Sequence, residues 1–195
     1  MMFFEKKKDY NIIIIGAGAA GLSAAWMAAK LKASVLLIES EKTGGECLYY
    51  GCVPSKSLIA YAKKNSVTKS SADFQMAKKY IRDKIEKIEP HDSITRYRQL
   101  GVDVLIGRAE VDKIGIKVGN QTFTSRNIII ATGSRPNIPL IHGIDSTPYY
   151  TYQTVWDMPK LPKQLTIIGG GAAGCELADA FNMLGSQVTI IEKEK

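Results

Sequence analysis

Apolar positions along this chain recur in two rhythms, and the change from one to the other predicts its elements. Tyr10 to Ile15, with the apolar run Ile12 to Ile15 at its end, reads as a buried strand. It leads into Gly16-Ala17-Gly18-Ala19-Ala20-Gly21. Leu22 to Lys32 then reads as a helix whose small residues (Ala24, Ala25, Ala28, Ala29) permit close packing on a sheet, and Ser34 to Ile38 as a second strand ending at Glu39. Helix is expected again over Ser57 to Lys64. After a polar break from Asn65 to Ser71, Phe74, Ala77, Ile81, Ile85 and Ile88 recur at spacings of three and four. That period places them on one helical face, with Lys78, Arg82, Asp83 and Lys87 turned to water. Pro90 ends this helix, and Ile94 to Leu100 resumes one.

Strand rhythm then returns. Val102 to Ile106, Ile116 to Val118 and Gln121 to Thr124 are short strands separated by Gly107, Gly115 and Gly119-Asn120, which reads as a β-meander rather than another crossover. Ile128 to Ala131 is a buried strand running into Thr132-Gly133-Ser134-Arg135-Pro136. Asn137 to Lys163 has prolines and no long periodic stretch, so it is expected to be a connector with a short helix at Thr154 to Met158.

The opening pattern then repeats. Leu165 to Ile168 is a strand, Gly169 to Gly174 a glycine loop, Cys175 to Leu184 a helix and Gln187 to Ile191 a strand closed by Glu192. Gly16, Gly18, Gly21 and Glu39 map onto Gly169, Gly171, Gly174 and Glu192 with one offset of 153 residues, and in each copy the acid follows the last glycine by eighteen. A lone glycine loop is weak. Here each follows a strand, opens a helix and precedes a second strand with a terminal acid, the full context of a dinucleotide site. The first glycine makes the turn, the second lets backbone approach a pyrophosphate, the third lets helix pack on strand, and the acid meets a ribose hydroxyl.

Composition narrows the picture. With 195 residues and 45% hydrophobic content the chain can build one core and begin a second. The formal charge of +7 lies in short lysine clusters (Lys6 to Lys8, Lys63 and Lys64, Lys78 and Lys79) without interleaved aromatics, which reads as solvated surface and not as a nucleic-acid interface. No apolar run approaches the roughly 20 residues of a membrane span, and Met1 to Tyr10 is too charged for a signal peptide. A cytoplasmic protein without nucleic-acid or membrane partners, and without a metal site, is expected.

The remaining chemistry lies between Gly44 and Lys56: Gly-Gly-Glu-Cys-Leu-Tyr-Tyr-Gly-Cys-Val-Pro-Ser-Lys. An unbroken helix would hold the Cα atoms of Cys47 and Cys52 roughly 8 Å apart, beyond the reach of a disulfide, so bridging requires a distorted turn. Gly51 tolerates positive φ and permits one. A helix running on from Pro54 would turn its positive end toward the sulfurs. By spacing alone the pair is equally a structural disulfide or two buried thiols. Cys175 reads as core packing.

This motif, set after a dinucleotide-binding unit, resembles the FAD-dependent pyridine nucleotide-disulfide oxidoreductases of class I, which include dihydrolipoamide dehydrogenase, glutathione reductase and mercuric reductase. Glu46 stands where the family more often has threonine, and the Gly-Gly-Glu-Cys-Leu form looks closest to the mercuric-reductase-like branch. The resemblance implies an α/β fold: a Rossmann-like FAD-binding domain over residues 1–145, a connector over 146–163, and over 164–195 the first βαβ unit of a Rossmann-like NAD(P)-binding domain. It implies that Cys47 exchanges with substrate, that Cys52 contacts the flavin, and that Lys56 lies near the flavin and pairs with Glu176. Thr132-Gly133-Ser134-Arg135-Pro136 resembles the family's Ala-Thr-Gly-Ser-x-Pro signature.

The implied FAD-binding set is Gly16, Gly18, Ala19, Ala20, Gly21, Glu39, Ser40, Gly44, Gly45, Glu46, Cys47, Lys56, Ala109, Ala131, Thr132, Gly133 and Ser134. Gly169, Gly171, Gly174 and Glu192 would hold NAD(P)H, with NADH favoured because the Glu192 carboxylate repels a 2′-phosphate; Lys193 and Lys195 weaken that preference. Ala172 replaces a gating tyrosine of the glutathione-reductase type, implying a more open nicotinamide pocket.

The implied activity is electron transfer between NAD(P)H, FAD and a Cys47–Cys52 redox disulfide, with a small disulfide, dithiol or metal ion as substrate and a homodimer as the intact form. Relatives of this kind are more than twice as long, and neither His91 nor His142 matches their C-terminal His-Glu pair. The chain is therefore expected to be truncated, with residues 160–195 its least stable region when isolated. The alternatives are an FAD-binding module without turnover and, disfavoured by the cysteine spacing, a flavoprotein oxidase or quinone reductase lacking thiol chemistry.

Overall fold

A computed structural model describes residues 8–65 and 71–193. The charged preface at 1–7, the core of the polar break at 66–70 and Lys195 lie outside the described residues. In chain order the elements are β1 (Lys8–Ile15), α1 (Ala19–Lys30), β2 (Val35–Glu39), α2 (Gly45–Tyr49), α3 (Cys52–Asn65), α4 (Ser71–Ile88), α5 (Ile94–Gln99), β3 (Val102–Ile106), β4 (Ala109–Val111), β5 (Ile116–Val118), β6 (Gln121–Ile130), β7 (Gln164–Ile168), α6 (Ala172–Leu184) and β8 (Gln187–Ile191). They form two compact units that interleave in sequence: Met1–Gly45 with Glu89–Ser134, and Glu46–Ile88 with Arg135–Lys195.

The first unit is built on a six-stranded sheet of order β3-β2-β1-β6-β5-β4, parallel from β3 to β6 and antiparallel from β6 to β4. The register sets Ile14 of β1 beside Leu37 of β2 and Ile129 of β6. Successive strand residues face opposite ways. Ile14 therefore joins Leu37, Val35, Val102 and Val104 under Leu22 and Ala25 of α1 and Tyr97 of α5. Its neighbour Ile13 joins Leu36 and Ile38 on the other face, covered by Ile116, Val118 and Phe123 from the antiparallel ribbon. Both isoleucines are fully buried, each contributing about 1.5–3 kcal/mol. A slip of one residue would exchange the faces, so burial on both sides fixes the register. Tyr97 is tied in by its hydroxyl, which donates to the Leu22 carbonyl at 3.0 Å.

Three expectations change here. Val102 to Ile106 is not part of a meander: it pairs in parallel with β2 after a crossover through α5 and forms the sheet edge. Gln121 to Thr124 and Ile128 to Ala131 are one long strand, β6, because the polar stretch between them still pairs with the start of β1. The short strand β4 at Ala109–Val111 has an exposed, weakly apolar pattern that periodicity does not detect.

In the second unit α3, α4 and α6 share one core. Leu58 and Ala62 of α3 meet Phe74, Ala77 and Ile81 of α4 and Ala180, Phe181 and Leu184 of α6. The spacing that predicted α4 thus selects its buried face. Val155 and Met158 of the connector complete the cluster, flanking a single 3-10 turn at Val155–Asp157 in place of the expected helix. Two polar ties hold the connector to α4: Gln75 Nε2 and Lys78 Nζ donate to the carbonyls of Pro159 and Met158 at 2.5 and 2.8 Å. The parallel pair β7–β8 packs on α6, with Ile168, Ile190 and Ile191 left exposed.

Candidate functional site

In the first unit the glycine loop leaves β1 at Gly16 with φ 103°, its N–H donating to Ile38 O at 2.7 Å. That backbone conformation favours glycine. A Cβ at Gly21 would stand 1.8 Å from Gly16 O, so the third glycine is required by helix packing. Gly18 is different: it caps α1 with φ −79°, and nothing but Gly45 Cα, at 3.9 Å, would meet its Cβ. The space above it is free for an incoming group. Ala19, Ala20 and Gly21 form the first turn of α1, whose unpaired N–H groups and helix dipole favour an anion.

Around this loop the expected residues converge. Glu39 accepts from Ala17 N–H at 2.6 Å and Glu41 N–H at 2.9 Å, and Ser40 Oγ lies 3.4 Å from it. Gly44 N–H donates to Ala17 O at 2.8 Å, and Gly45, at φ 57°, brings its backbone so near Gly18 that a Cβ there would lie 2.7 Å from Gly18 Cα. Ala131 N–H donates to Ile15 O at 2.7 Å as β6 ends beside the loop. Thr132, Gly133 and Ser134 follow, exposed, with Gly133 at φ 69°. Ala109 opens β4 opposite Val118.

The second glycine loop, in the second unit, repeats this geometry. Gly169 has φ 105°, and its N–H donates to Ile191 O at 2.8 Å. A Cβ at Gly174 would lie 2.1 Å from Gly169 O, whereas at Gly171 it would meet nothing within 4 Å. Glu192 accepts from Gly170 N–H at 2.6 Å, the counterpart of Glu39 on Ala17. The repeat read from glycine spacing is therefore also a repeat of hydrogen bonds.

The cysteine motif belongs to the second unit and folds as two helices broken at Tyr50-Gly51. The N–H groups of both residues donate to Glu46 O, at 2.9 and 2.7 Å, closing α2 in a tight turn. The expected positive φ is not found at Gly51, and a Cβ there would stand 3.3 Å from Glu46 O, a slightly tight contact, and 3.7 Å from Cys47 Cα, an ordinary one. The two cysteines are not bridged to each other; Cys47 is half-buried and Cys52 exposed. Helix α3 begins at Cys52, two residues before the expected start, and Gly51 O accepts its first helical bond from Ser55 N–H at 3.0 Å. Pro54 falls in the first turn, where its missing N–H costs nothing.

Cys52, Ser55 and Lys56 are three and four residues apart and so share one helical face. Lys56 Nζ lies 3.1 Å from Glu176 Oε1, and Ser55 Oγ donates to Glu176 Oε2 at 2.8 Å. The Ser55 hydroxyl, followed by the Lys56 ammonium, lowers the Glu176 pKa, and hydrogen bonding to Glu176 raises that of Lys56. These side chains border a cleft of about 260 Å³ whose walls include Tyr50, Tyr152, Trp156 and Ala172. Two residues that sequence reasoning missed anchor that wall: Tyr152 Oη donates to Glu46 Oε2 at 3.0 Å, and Trp156 Nε1 to Tyr50 O at 3.0 Å. Their spacing of four within an aperiodic connector was the available signal. Ser55 could have been found from the helical face it shares with Cys52 and Lys56.

Cys175 corrects an expectation: it is exposed in the first turn of α6, its Sγ 3.2 Å from Gly170 O, and takes no part in the core. His91 and His142 are exposed. Among the described residues no group of His, Cys, Asp and Glu could hold a metal, and no helix is long and apolar enough to cross a membrane.

The chain thus carries two glycine loops of like geometry and a cysteine pair whose second member opens a helix that also carries a lysine–glutamate contact. Residues 10–195 match the family model described as pyridine nucleotide-disulphide oxidoreductase, and the chain belongs to that family, in its class I branch. It is 32% identical to a mercuric reductase of Bacillus cereus, covering 98% of this chain and 32% of that protein. It is 34% identical to a dihydrolipoyl dehydrogenase of Acholeplasma laidlawii, covering 95% and 60%. Among solved structures, the HOCl-induced flavoprotein disulfide reductase RclA from Escherichia coli superposes with a TM-score of 0.80 at 32% identity, over 93% of this chain and 41% of that one. The chain thus spans between about a third and three fifths of the length of these relatives.

Proposed function

We propose that the protein passes electrons between NAD(P)H, bound FAD and the Cys47–Cys52 pair, and from the resulting dithiol to a small disulfide or a metal ion. The observation that carries this reading is the α3 face that Cys52 shares with Ser55 and Lys56, the two residues that bind Glu176. FAD suits the first glycine loop, where Gly18 leaves room for a pyrophosphate and Glu39 already stands on the loop's N–H groups. When bound it supplies hydride acceptance and two-electron transfer. The proposed division places FAD binding in residues 1–145 and the start of a nicotinamide-nucleotide domain in 164–195, where Glu192 favours NADH over NADPH by repelling a 2′-phosphate. A homodimer and a cytoplasmic location accompany the reading.

The protein's own groups perform the sulfur chemistry. Cys47, as thiolate, attacks a substrate disulfide and releases one thiol, forming a mixed disulfide; Cys52 then attacks Cys47 and releases the second. Two thiols are oxidised, one substrate disulfide is reduced, and two protons pass to the departing sulfurs. Lys56 and Glu176 hold fixed charge beside the reacting face. For a metal-ion substrate the same dithiol would be the donor.

The test is NADH- and NADPH-dependent reduction of a small disulfide by the FAD-loaded chain, alongside Cys47→Ser and Cys52→Ser. Turnover lost in both variants supports the reading. Turnover surviving either substitution refutes it, and FAD uptake without turnover points to a binding module.

A further inference from the structure

We infer that Tyr152 and Trp156 are positioning residues for the redox pair: they clamp the short helix that carries Cys47 and so set how readily the Cys47–Cys52 disulfide forms. The inference rests on the proposed role of that pair. Helix α2 has only five residues, too few to hold its shape alone. The connector grips it at both ends. Tyr152 Oη binds the Glu46 carboxylate at 3.0 Å, one residue before Cys47, and Trp156 Nε1 binds Tyr50 O at 3.0 Å, just past the last turn.

The base of the clamp is firm. Val155 and Met158, which bracket Trp156, are buried in the core with Phe74, Phe181 and Leu58. Tyr152 lies in the turn closed by Val155 N–H on Thr151 O at 2.8 Å, and Trp156 in the 3-10 turn at Val155–Asp157 that follows directly, so two consecutive hydrogen-bonded turns present the two donors. Cys47 lies between the two gripped points, and the turn that ends α2 closes on one of them, with Tyr50 and Gly51 N–H donating to Glu46 O at 2.9 and 2.7 Å. Glu46 matters here because its carboxylate reaches Tyr152; a clamp of this chemistry needs an acceptor at position 46.

Closing a disulfide across this turn requires α2 to keep its angle to α3. A clamp that maintains that angle in the dithiol lowers the ordering cost of ring closure, and a loosened one raises it. Loss of one hydrogen bond of this kind shifts such an equilibrium by about three- to tenfold. Tenfold corresponds to about 30 mV for a two-electron couple.

The experiment titrates the 195-residue chain in glutathione redox buffers, in which glutathione disulfide takes up two electrons and two protons as Cys47 and Cys52 join. Acid-quenched, alkylated peptides are read by mass spectrometry, so that Cys175 is counted separately. Tyr152→Phe removes one donor and keeps the ring; Trp156→Phe removes the other and keeps an aromatic, though smaller, side chain. Each is expected to lower the equilibrium constant for the Cys47–Cys52 disulfide three- to tenfold. Gln75→Ala, which removes a connector hydrogen bond that does not reach α2, is expected to leave it within twofold. Variants that titrate like wild type, a shift toward a more stable disulfide, or an equal shift in Gln75→Ala each overturn the clamp. Should either aromatic variant fail to fold, the other carries the same expectation. A wild-type chain that forms no Cys47–Cys52 disulfide at any ratio refutes the functional reading instead, so the two failures are distinguishable.

Discussion

Gly18 and Gly21 stand three residues apart in one loop, yet alanine at each position should have opposite consequences. At Gly21 the added carbon would lie 1.8 Å from Gly16 O and 2.9 Å from Gly16 C, both backbone atoms. A carbon–oxygen contact relaxes at about 3.3 Å, so α1 or the end of β1 must shift by about 1.5 Å. Neither can move freely, because Gly16 N–H is bonded to Ile38 O and Leu22 is buried against β1 and β2. The gain of about 1 kcal/mol that alanine brings to a helix interior is therefore overwhelmed by overpacking of about 3 kcal/mol or more.

At Gly18 the nearest atom to an added carbon is 3.9 Å away and φ is −79°, so alanine fits. A poorer cap and a stiffer unfolded chain roughly cancel, leaving stability within about 1 kcal/mol of wild type. The methyl group then fills the space above the loop where a pyrophosphate would approach. Urea denaturation read by circular dichroism should show a large fall in midpoint for Gly21→Ala and little change for Gly18→Ala. Flavin fluorescence titration should show FAD binding weakened at least tenfold by Gly18→Ala, in a chain that remains folded. Equal destabilisation by the two substitutions, or undiminished FAD binding by Gly18→Ala, would refute the division of labour argued for these glycines.

The other predictions concern the charged pair and the helical core. The Glu176 carboxyl, held below its ordinary value by Ser55 first and Lys56 second, should titrate low by carbon-13 NMR and move upward in Ser55→Ala and in Lys56→Met. A carboxylate with a depressed folded pKa stabilises the fold above its unfolded pKa and loses that contribution as pH falls through the folded value; the raised Lys56 ammonium loses its share as pH rises through its own. Added stability from this pair should thus be present at neutral pH and fade toward strong acid and strong base; in Lys56→Met the basic limb should disappear, while the acid limb should shrink and persist through the Ser55 hydrogen bond. In α4, Ile81 is 5% exposed among Phe74, Phe181 and Leu58, so Ile81→Ala should cost about 2–4 kcal/mol by urea denaturation, whereas the exposed Arg82→Ala should change stability by less than about 0.5 kcal/mol.

Much of this architecture was legible because local chemistry and tertiary contact agree. The two glycine loops were visible from spacing alone, since a turn at positive φ, and a helix so close that an added Cβ would lie 1.8 Å from Gly16 O or 2.1 Å from Gly169 O, leave few alternatives to glycine. The α4 face was visible because its five apolar positions share one helical period. The β3 crossover was not: five residues of strand carry no mark of whether their partner is parallel or antiparallel, and β3 differs from a meander strand only in pairing with β2. The break at Tyr50-Gly51 was also hidden, because it is closed by two N–H groups converging on the Glu46 carbonyl and not by the positive φ that a glycine suggests. Tyr152 and Trp156 escaped notice for a similar cause: their partners, Glu46 and the Tyr50 carbonyl, are 106 residues away along the chain.

The central claim is that the sulfur on α3 works against a bound flavin, and absorbance of the FAD-loaded chain during anaerobic two-electron reduction tests it most directly. The account predicts a long-wavelength band that develops in the wild-type chain and is missing from Cys52→Ser. A reduced chain without that band, or a Cys52→Ser variant that retains it, would contradict the account.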